Sequence, residues 1–235
     1  MHRDDQQDRQ HLVEIGKRMY ERNYVAANDG NLSIRIRNDE ILATPTGVSK
    51  GFMQEADMVR LNLNGMVLEQ GKLAPSSEIK MHLRIYQENP DVMGICHAHP
   101  VMSTSFAVAG IALNEPIYPE AIVNLGSVPC VHYETPGTQG VSDAIAPYAR
   151  SHHAVLLANH GIVTWGQSLL EAWYRMEAAE HYAQIMFNTC YVMNRANRLS
   201  SQQMKDLGEI RKKLGLTTGT LPQGIPEAVN CHDVQ

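Results

Sequence analysis

The chain has 235 residues, of which 43% are hydrophobic, and a formal net charge of −5. That length suits a single core, so we expect one domain over residues 1–235, with a core over about 8–213 and a tail over 214–235. The acidic balance and the lack of a lysine–arginine cluster argue against nucleic acid as a partner, and no segment is long and apolar enough for a membrane span.

Hydrophobic patterns predict both helices and strands along the chain. In chain order, the predicted elements are a helix over 8–24, strands over 32–37 and 40–44, a hairpin over 58–69, a helix over 77–88, a strand over 92–98, a helix over 101–109, a strand over 128–133, a helix over 138–150, a strand over 154–158, and helices over 168–195 and 202–213. The hairpin turns at Asn64-Gly65, which requires antiparallel pairing. Strands outnumber those of a regular βαβ repeat, so we predict a three-layer α/β/α sandwich around a mixed, mainly antiparallel sheet.

The cysteines are scattered along the chain without paired spacing. They are Cys96, Cys130, Cys190 and Cys231. Unpaired thiols are typical of a reducing compartment, and the polar N-terminal stretch carries no targeting signal. We therefore expect a cytoplasmic protein.

Three histidines stand at the ends of predicted strands. His97 and His99 end the strand over 92–98, and His160 follows the strand over 154–158. Side chains at positions i and i+2 of a strand point the same way, so two imidazoles can bind one ion. With a third imidazole, Zn²⁺ keeps an open position for a carboxylate or a substrate oxygen. Ordinary polar residues at a strand end are the alternative that so short a pattern leaves open.

Three further segments offer groups that bind anions. Ser76 and Ser77 precede Glu78 at the start of a predicted helix, with Ser77 as its N-cap. The loops over 28–33 and 44–50 are rich in Asn, Gly, Pro and Thr, which also suits plain turns. Each segment alone is explained by a cap or a turn. Together they supply amides and small hydroxyls that suit a terminal phosphate.

Five motifs together resemble the class II aldolase/adducin family, most of all its L-fuculose-phosphate aldolase branch. They are Asp29-Gly-Asn-Leu-Ser33, Thr44-Pro-Thr-Gly47, Pro75-Ser-Ser-Glu78, His97-Ala-His99 and Asn159-His-Gly161. The resemblance runs from about residue 8 to about 195. It implies a metal site that holds Zn²⁺, or another divalent metal such as Mn²⁺ or Co²⁺, on Glu78, His97, His99 and His160. It implies a phosphate site made of Gly30, Asn31, Thr46, Gly47, Ser76 and Ser77.

The same resemblance implies a metal-dependent aldehyde-lyase. A zinc-dependent aldolase would reversibly cleave a ketose 1-phosphate to dihydroxyacetone phosphate and an aldehyde, with the metal as Lewis acid and Glu78 as base. The largely apolar segment over 111–125 indicates a short or apolar aldehyde, as from L-fuculose 1-phosphate or a 5-deoxypentulose or 5-methylthioribulose 1-phosphate.

The resemblance further implies a homotetramer with active sites at subunit interfaces, where Tyr118 donates a proton in a neighbour's site. The segment over 111–123 would expose an apolar patch on a monomer, which favours such an interface. One departure from the family pattern concerns the tail. The fuculose enzyme uses a tyrosine there, whereas this chain has none after Tyr191.

Two alternatives to the aldolase remain open. One is a decarboxylase of a 3-oxo-tetronate 4-phosphate in the same family, and the other is a non-catalytic, adducin-like module. Adducin-type members lack the histidine ligands, so the retention of His97, His99 and His160 argues against the module. His82 follows Glu78 by one helical turn, where we expect a polar helix face, with a contact behind the metal ligands as the alternative. His132, His152, His153 and His181 are expected to lie outside the site.

Overall fold

The computed structural model describes residues 5–216 and 219–224. The helices are α1 (Gln6–Glu21), α2 (Ile79–Glu88), α3 (Val101–Ala109), α4 (Pro119–Asn124), α5 (Gln139–Ile145), α6 (Leu169–Met186), which a π-helical segment Phe187–Val192 continues, and α7 (Ser201–Lys213). The strands are β1 (Asn31–Arg35), β2 (Glu40–Ala43), β3 (Val59–Asn62), β4 (Val67–Glu69), β5 (Gly94–Ala98), β6 (Cys130–Val131), β7 (Ala154–Leu157) and β8 (Gly161–Gly166). Within these ranges no helix is both long and apolar enough to cross a membrane.

The described strands form one eight-stranded sheet in the order β4-β3-β2-β1-β5-β8-β7-β6. Neighbouring strands are antiparallel, except that β6 runs parallel to β7. The Asn64-Gly65 turn joins β3 to β4 with Gly65 at a φ of +83°, a conformation that glycine adopts without strain. The predicted mixed, mainly antiparallel sheet is confirmed.

Two separate apolar clusters cover the two faces of the sheet. Leu32 and Cys96 point to the face covered by α1, α3 and α6, whereas Ile41 and Ile95 point to the face covered by α2 and α5. The alternation follows from the two-residue period of a strand, and each buried Leu or Ile contributes about 1.5–3 kcal/mol. The predicted three-layer α/β/α sandwich is therefore confirmed.

Two elements were not predicted. β8 is buried along its whole length, because helices cover both faces of this central strand, and its sequence therefore lacks the alternation that reveals a half-buried strand. α4 has only six residues and begins at Pro119, so it is too short to show a helical period. The prediction of one domain over 1–235 stays a prediction, and most of the tail over 214–235 lies outside the described residues, as does Cys231.

The expected apolar patch over 111–123 is wrong. Leu113, Ala121 and Ile122 are at most 1% exposed and pack into the core. Ile111, Ile117 and Val123 are half-buried. Packing into the chain's own core thus accounts for much of the apolar character of this segment, and the expected aldehyde and subunit interface stay predictions.

Candidate active site

Four side chains converge at one edge of the sheet. The Nε2 atoms of His97 and His99 lie 3.2 Å apart, and the Glu78 carboxylate lies 3.4 Å from Nε2 of His97 and 3.0 Å from Nε2 of His160. One nitrogen from each histidine lies within 4.8 Å of the others. The structure thus brings the four predicted metal ligands together.

Strand topology explains this meeting. β5 ends at the edge where β1 and β8 begin, because both are antiparallel to it. His160 lies in the β7–β8 turn, where its N–H donates to the carbonyl of Leu157 at 3.0 Å and Asn159 takes a left-handed φ of 59°. A Cβ on Gly161 would lie 2.6 Å from the His99 ring. Glycine at this position therefore leaves the space that the ring needs.

The Nδ1 atoms of His97 and His99 contact groups outside the cluster. Nδ1 of His97 lies 2.9 Å from the carbonyl oxygen of Ile162, and Nδ1 of His99 lies 3.4 Å from a carboxylate oxygen of Asp29. A donor at Nδ1 leaves the Nε2 lone pair free to point at an ion. Asp29 was not a predicted site residue, although it opens the Asp29–Ser33 motif.

Burial and charge set the protonation of the cluster. Burial raises the pKa of Glu78, but the charges of His97 and His160 and their hydrogen bonds outweigh it and hold that pKa well below the usual value. Burial, together with the charges of His97 and His160, lowers the pKa of His99 to about 4. The site therefore presents a carboxylate and a neutral His99 imidazole at neutral pH, which is the state that binds a cation.

This donor set suits a divalent metal. In tetrahedral Zn²⁺ sites with bonds of about 2.05 Å, neighbouring ligand atoms lie about 3.3 Å apart. The distances of 3.2 Å between His97 and His99 and 3.4 Å between His97 and Glu78 agree with that spacing. Three imidazoles with one carboxylate also suit Mn²⁺ and Co²⁺.

A cavity of about 240 Å³ adjoins the cluster. It is lined by Asn28, Asp29, Gly30, Asn31, Pro45, Thr46, Ser76, Ser77, Glu78, His99 and His160. Five of the six predicted phosphate ligands thus share one cavity with the cluster. Gly47 is the sixth; it is outside the described lining and follows Thr46 with a φ of +76°.

Backbone hydrogen bonds join the loop over 44–47 to the segment before α2. The N–H of Thr46 donates to the carbonyl of Ala74 at 2.9 Å, and the N–H of Ser76 donates to the carbonyl of Thr44 at 3.4 Å. Asn31 links the loops to the cluster, since its Nδ2 donates to Glu78 at 2.8 Å and to the Ser76 hydroxyl at 3.3 Å.

The backbone conformation at position 30 requires glycine. It has a φ of +73°, and a Cβ there would lie 2.8 Å from the carbonyl oxygen of His97. Any other residue would push the 28–31 loop away from β5, so this glycine sets the depth of the cavity.

Ser77 is not the N-cap of α2. Glu78 takes that position, and the Ser76 hydroxyl accepts from the N–H of Glu78 at 3.3 Å. The turn places Glu78 against the histidines instead of along the helix. A side chain at the cap position thus serves the cluster, which the sequence pattern of a plain cap does not reveal.

Tyr118 lies away from the cluster in the single chain. It precedes α4, its ring packs 5.7 Å from the ring of His181, and it is absent from the described cavity lining. The structure therefore does not bring this predicted catalytic residue together with the others within one chain.

His82 is not on a polar helix face, so that expectation is wrong. It is fully buried, and its Nδ1 lies 2.7 Å from the hydroxyl of Ser33, which in turn contacts the hydroxyl of Tyr86 at 2.9 Å. Burial, together with the charge of His97, lowers the pKa of His82 to about 3. Its hydrogen bond goes to Ser33 on β1, so the alternative of a contact behind the metal ligands stays a prediction.

Comparison with known families gives a match over most of the chain. The model of the family described as Class II Aldolase and Adducin N-terminal domain matches residues 10–187. The chain is 33% identical over 187 residues to a 3-oxo-tetronate 4-phosphate decarboxylase of Escherichia coli O6:H1, covering 78% of this chain and 87% of the relative. It is 35% identical over 176 residues to an L-fuculose phosphate aldolase of Methanococcus maripaludis, covering 75% and 94%.

Solved structures also superpose on this chain. A Klebsiella pneumoniae protein, YgbL, which is grouped with aldolases, epimerases and decarboxylases, superposes with a TM-score of 0.81 at 32% identity, covering 87% of this chain and 99% of that one. An L-fuculose 1-phosphate aldolase superposes with a TM-score of 0.80 at 32% identity, covering 90% and 99%.

Proposed function

We propose, from the premise that the chain belongs to the class II aldolase and adducin family, that it is a zinc-dependent aldolase. Its substrate would be a ketose 1-phosphate, cleaved reversibly to dihydroxyacetone phosphate and an aldehyde. The observation that carries the proposal is the convergence of His97, His99, His160 and Glu78 beside one cavity. The lining of that cavity also includes amide and hydroxyl groups. Mn²⁺ or Co²⁺ would suit the same ligands.

The proposed roles follow from where each side chain lies. His97, His99 and His160 hold the cation, which when bound supplies Lewis-acid stabilisation of the negative charge that develops on the substrate oxygens. Glu78 moves the proton at the carbon beside the carbonyl. Its pKa rises once its carboxylate leaves the histidines for a dry cavity, which makes it a competent base. Asn31, a donor to Glu78 at 2.8 Å, orients the carboxylate.

The phosphate is assigned to the far end of the cavity. Thr46, Ser76 and Ser77 offer hydroxyls there, and the adjoining loops offer backbone N–H groups. A volume of about 240 Å³ lies below the usual range of ligand pockets, about 300–1,000 Å³, which favours a small phosphorylated sugar.

The proposed oligomer is a homotetramer whose active sites lie at subunit interfaces. Exposed apolar side chains lie on α3 and around the π-helical segment, and these two elements meet where Phe106 and Tyr191 pack with ring centroids 5.9 Å apart. The exposed members are Val101, Val108, Phe187, Tyr191, Val192 and Met193. Val101 follows the metal ligand His99 by two residues, so a neighbour docked on this surface would approach the site.

Tyr118 would act in a neighbour's site. Chains carrying Tyr118→Phe and chains carrying Glu78→Gln should each be inactive, and mixing them should restore partial activity because mixed oligomers assemble some sites with both native residues. A wild-type protein that is monomeric by light scattering, or no recovery after proven subunit exchange, would contradict this arrangement.

The direct test is a panel of ketose 1-phosphates. Metal-loaded protein is incubated with L-fuculose 1-phosphate, a 5-deoxypentulose 1-phosphate and 5-methylthioribulose 1-phosphate, and released dihydroxyacetone phosphate is measured. Release from at least one substrate supports the aldolase, and the preferred substrate identifies the aldehyde. A metal-loaded protein that cleaves none of them would overturn it.

The second candidate is a 3-oxo-tetronate 4-phosphate decarboxylase. A relative of that name matches at 33% identity over 78% of the chain, on a par with the fuculose phosphate aldolases. The same ligands would stabilise the negative charge left by loss of CO₂, and the same loops would hold the 4-phosphate. Release of CO₂ in place of an aldehyde distinguishes the two reactions.

A further inference from the structure

A buried lysine lies beneath the loops of the cavity. Lys50 is only 1% exposed. Its Nζ donates to the carbonyl of Asn28 at 3.0 Å and to the carbonyl of Val48 at 2.8 Å. The ammonium group thus joins the 28–31 loop, which lines the cavity, to the loop that carries Thr46 and Gly47.

The backbone of Lys50 is fixed in place. A Cβ on Gly16 of α1 would lie 2.9 Å from the carbonyl oxygen of Lys50, and a Cβ on Gly51 would lie 2.5 Å from the Tyr20 ring. Two glycines therefore allow the 3₁₀ turn Lys50–Phe52 to pack directly against α1. This packing fixes the position of the Lys50 backbone.

The charge of Lys50 has no ion-pair partner among the described residues, where its contacts are neutral carbonyls. A buried ammonium without a counterion is costly, and burial lowers the pKa of Lys50 to about 8, although Asp29 and Glu78 offset part of that shift. The group is still mainly protonated at pH 7. It therefore leaves a positive potential in its surroundings.

The cavity itself lacks a cationic side chain of this kind. Its described lining includes the carboxyl groups of Asp29 and Glu78 and contains no lysine or arginine. A phosphate dianion in the loops would meet these negative charges, and only the metal at the opposite end would balance them. Lys50 is the lysine whose ammonium touches the loops from behind.

The buried Arg35 is an example of a cation that only joins segments of the chain. Arg35 donates to the carbonyls of Val92, Asn38 and Tyr86 at the opposite end of β1 from Asn31. Arg35 joins these segments away from the cavity that adjoins the metal cluster, whose described lining does not include it. If Lys50 does more than join loops, its substitution must change the affinity for an anion.

We propose that Lys50 is a positioning and electrostatic residue of the phosphate end, and that its positive charge, transmitted through the loops from behind, sets the affinity for the phosphate dianion. The inference rests on the proposed function, since it takes the substrate to be phosphorylated. It predicts that Lys50 affects binding of the phosphate far more than turnover.

The test compares Lys50→Met, Lys50→Gln and the control Lys72→Met at pH 7. Met removes the charge and the donors, whereas Gln removes the charge and keeps an N–H donor for the loop carbonyls. Lys72 is an exposed lysine four residues before Ser76, so its substitution removes the same charge from the surface. Melting temperature and bound metal verify that each variant is folded. If Lys50→Met does not fold, Lys50→Gln alone is compared with the control.

Binding of inorganic phosphate to the metal-loaded protein is measured by calorimetry. Loss of the Lys50 charge should weaken binding on the order of ten- to a hundredfold in both Lys50 variants, whereas Lys72→Met stays within twofold of wild type. With an active ketose 1-phosphate, KM should rise similarly and kcat should change by less than about threefold.

Two results would overturn the inference. Phosphate affinity within twofold of wild type in folded Lys50 variants would show that the charge is not felt in the cavity. Normal affinity in Lys50→Gln with weak affinity in Lys50→Met would show that Lys50 only joins the loops. A wild type that binds phosphate but cleaves no phosphorylated sugar would instead refute the proposed function and leave the binding comparison readable.

Discussion

The metal end and the phosphate end of the cavity are built in different ways. The metal end uses side chains at the ends of neighbouring strands, with His97 on β5, His99 directly after it and His160 in the turn before β8. The phosphate end consists of three loops that are distant in sequence and joined by backbone hydrogen bonds such as that from Thr46 to Ala74.

The two constructions imply different sensitivities. Each metal ligand supplies one irreplaceable lone pair, so loss of a single side chain should disable the centre. The phosphate end spreads its contacts over several weak donors, so loss of one hydroxyl should cost only part of the affinity. Substitutions at the two ends test this contrast.

The largest effect is expected at the metal end. His97→Ala should strip the metal and reduce lyase activity by at least about 10⁴-fold, because the cation and its Lewis-acid chemistry are lost together. Metal content is measured by mass spectrometry beside activity. His132→Ala, at a side chain that is 72% exposed, should keep both. Full metal content in His97→Ala would refute the assigned centre.

The next largest effect concerns Glu78, which contacts both ends. Glu78→Gln keeps the size and one oxygen but removes the base, so kcat should fall about 10²–10⁴-fold while most of the metal stays bound. The exposed Glu209→Gln on α7 is the matched control. Loss of metal without a separate loss in kcat per bound metal would make Glu78 chiefly a ligand.

A smaller effect is expected at the phosphate end. Ser76→Ala removes one hydroxyl from the cavity wall, and KM for the phosphorylated substrate should rise about tenfold while the metal content stays unchanged, since a hydrogen bond to a charged group contributes about 1.5–3 kcal/mol. Ser105→Ala, at an exposed serine on α3, should leave KM unaltered. A loss of activity as large as that of His97→Ala would remove the contrast between the two ends.

The smallest effect concerns stability behind the metal end. The pKa of His82 is about 3 in the folded chain, against about 6.5 for a free histidine. The unfolded state therefore binds a proton that the folded state does not, and stability falls as pH drops below about 6.5. Between pH 7.5 and 5.5 this loss is about 1 kcal/mol. His82→Gln should reduce that loss in urea titrations of metal-free protein, whereas His132→Gln should not. An unchanged pH dependence in His82→Gln would refute the neutral, buried state.

Local patterns in the sequence predicted much of the metal end. The spacing of His97 and His99 defines one strand face, which follows from the period of a strand. His160 lies beside them because β8 pairs with both β5 and β7. The opposite burial of Cys96 follows from the same rule. Glu78 and the phosphate loops needed the family resemblance, because each alone is indistinguishable from a cap or a turn.

The sequence by itself determined the alternation of helices and strands, the antiparallel hairpin at Asn64-Gly65 and the strand-borne histidines, since these depend on residues close together in the chain. Only the tertiary structure decided that β8 is a central strand, that His82 is buried against Ser33, and that Lys50 lies beneath two loops. Those contacts join segments that are about 20 to 50 residues apart or more, and their free energy depends on packing that no local period records.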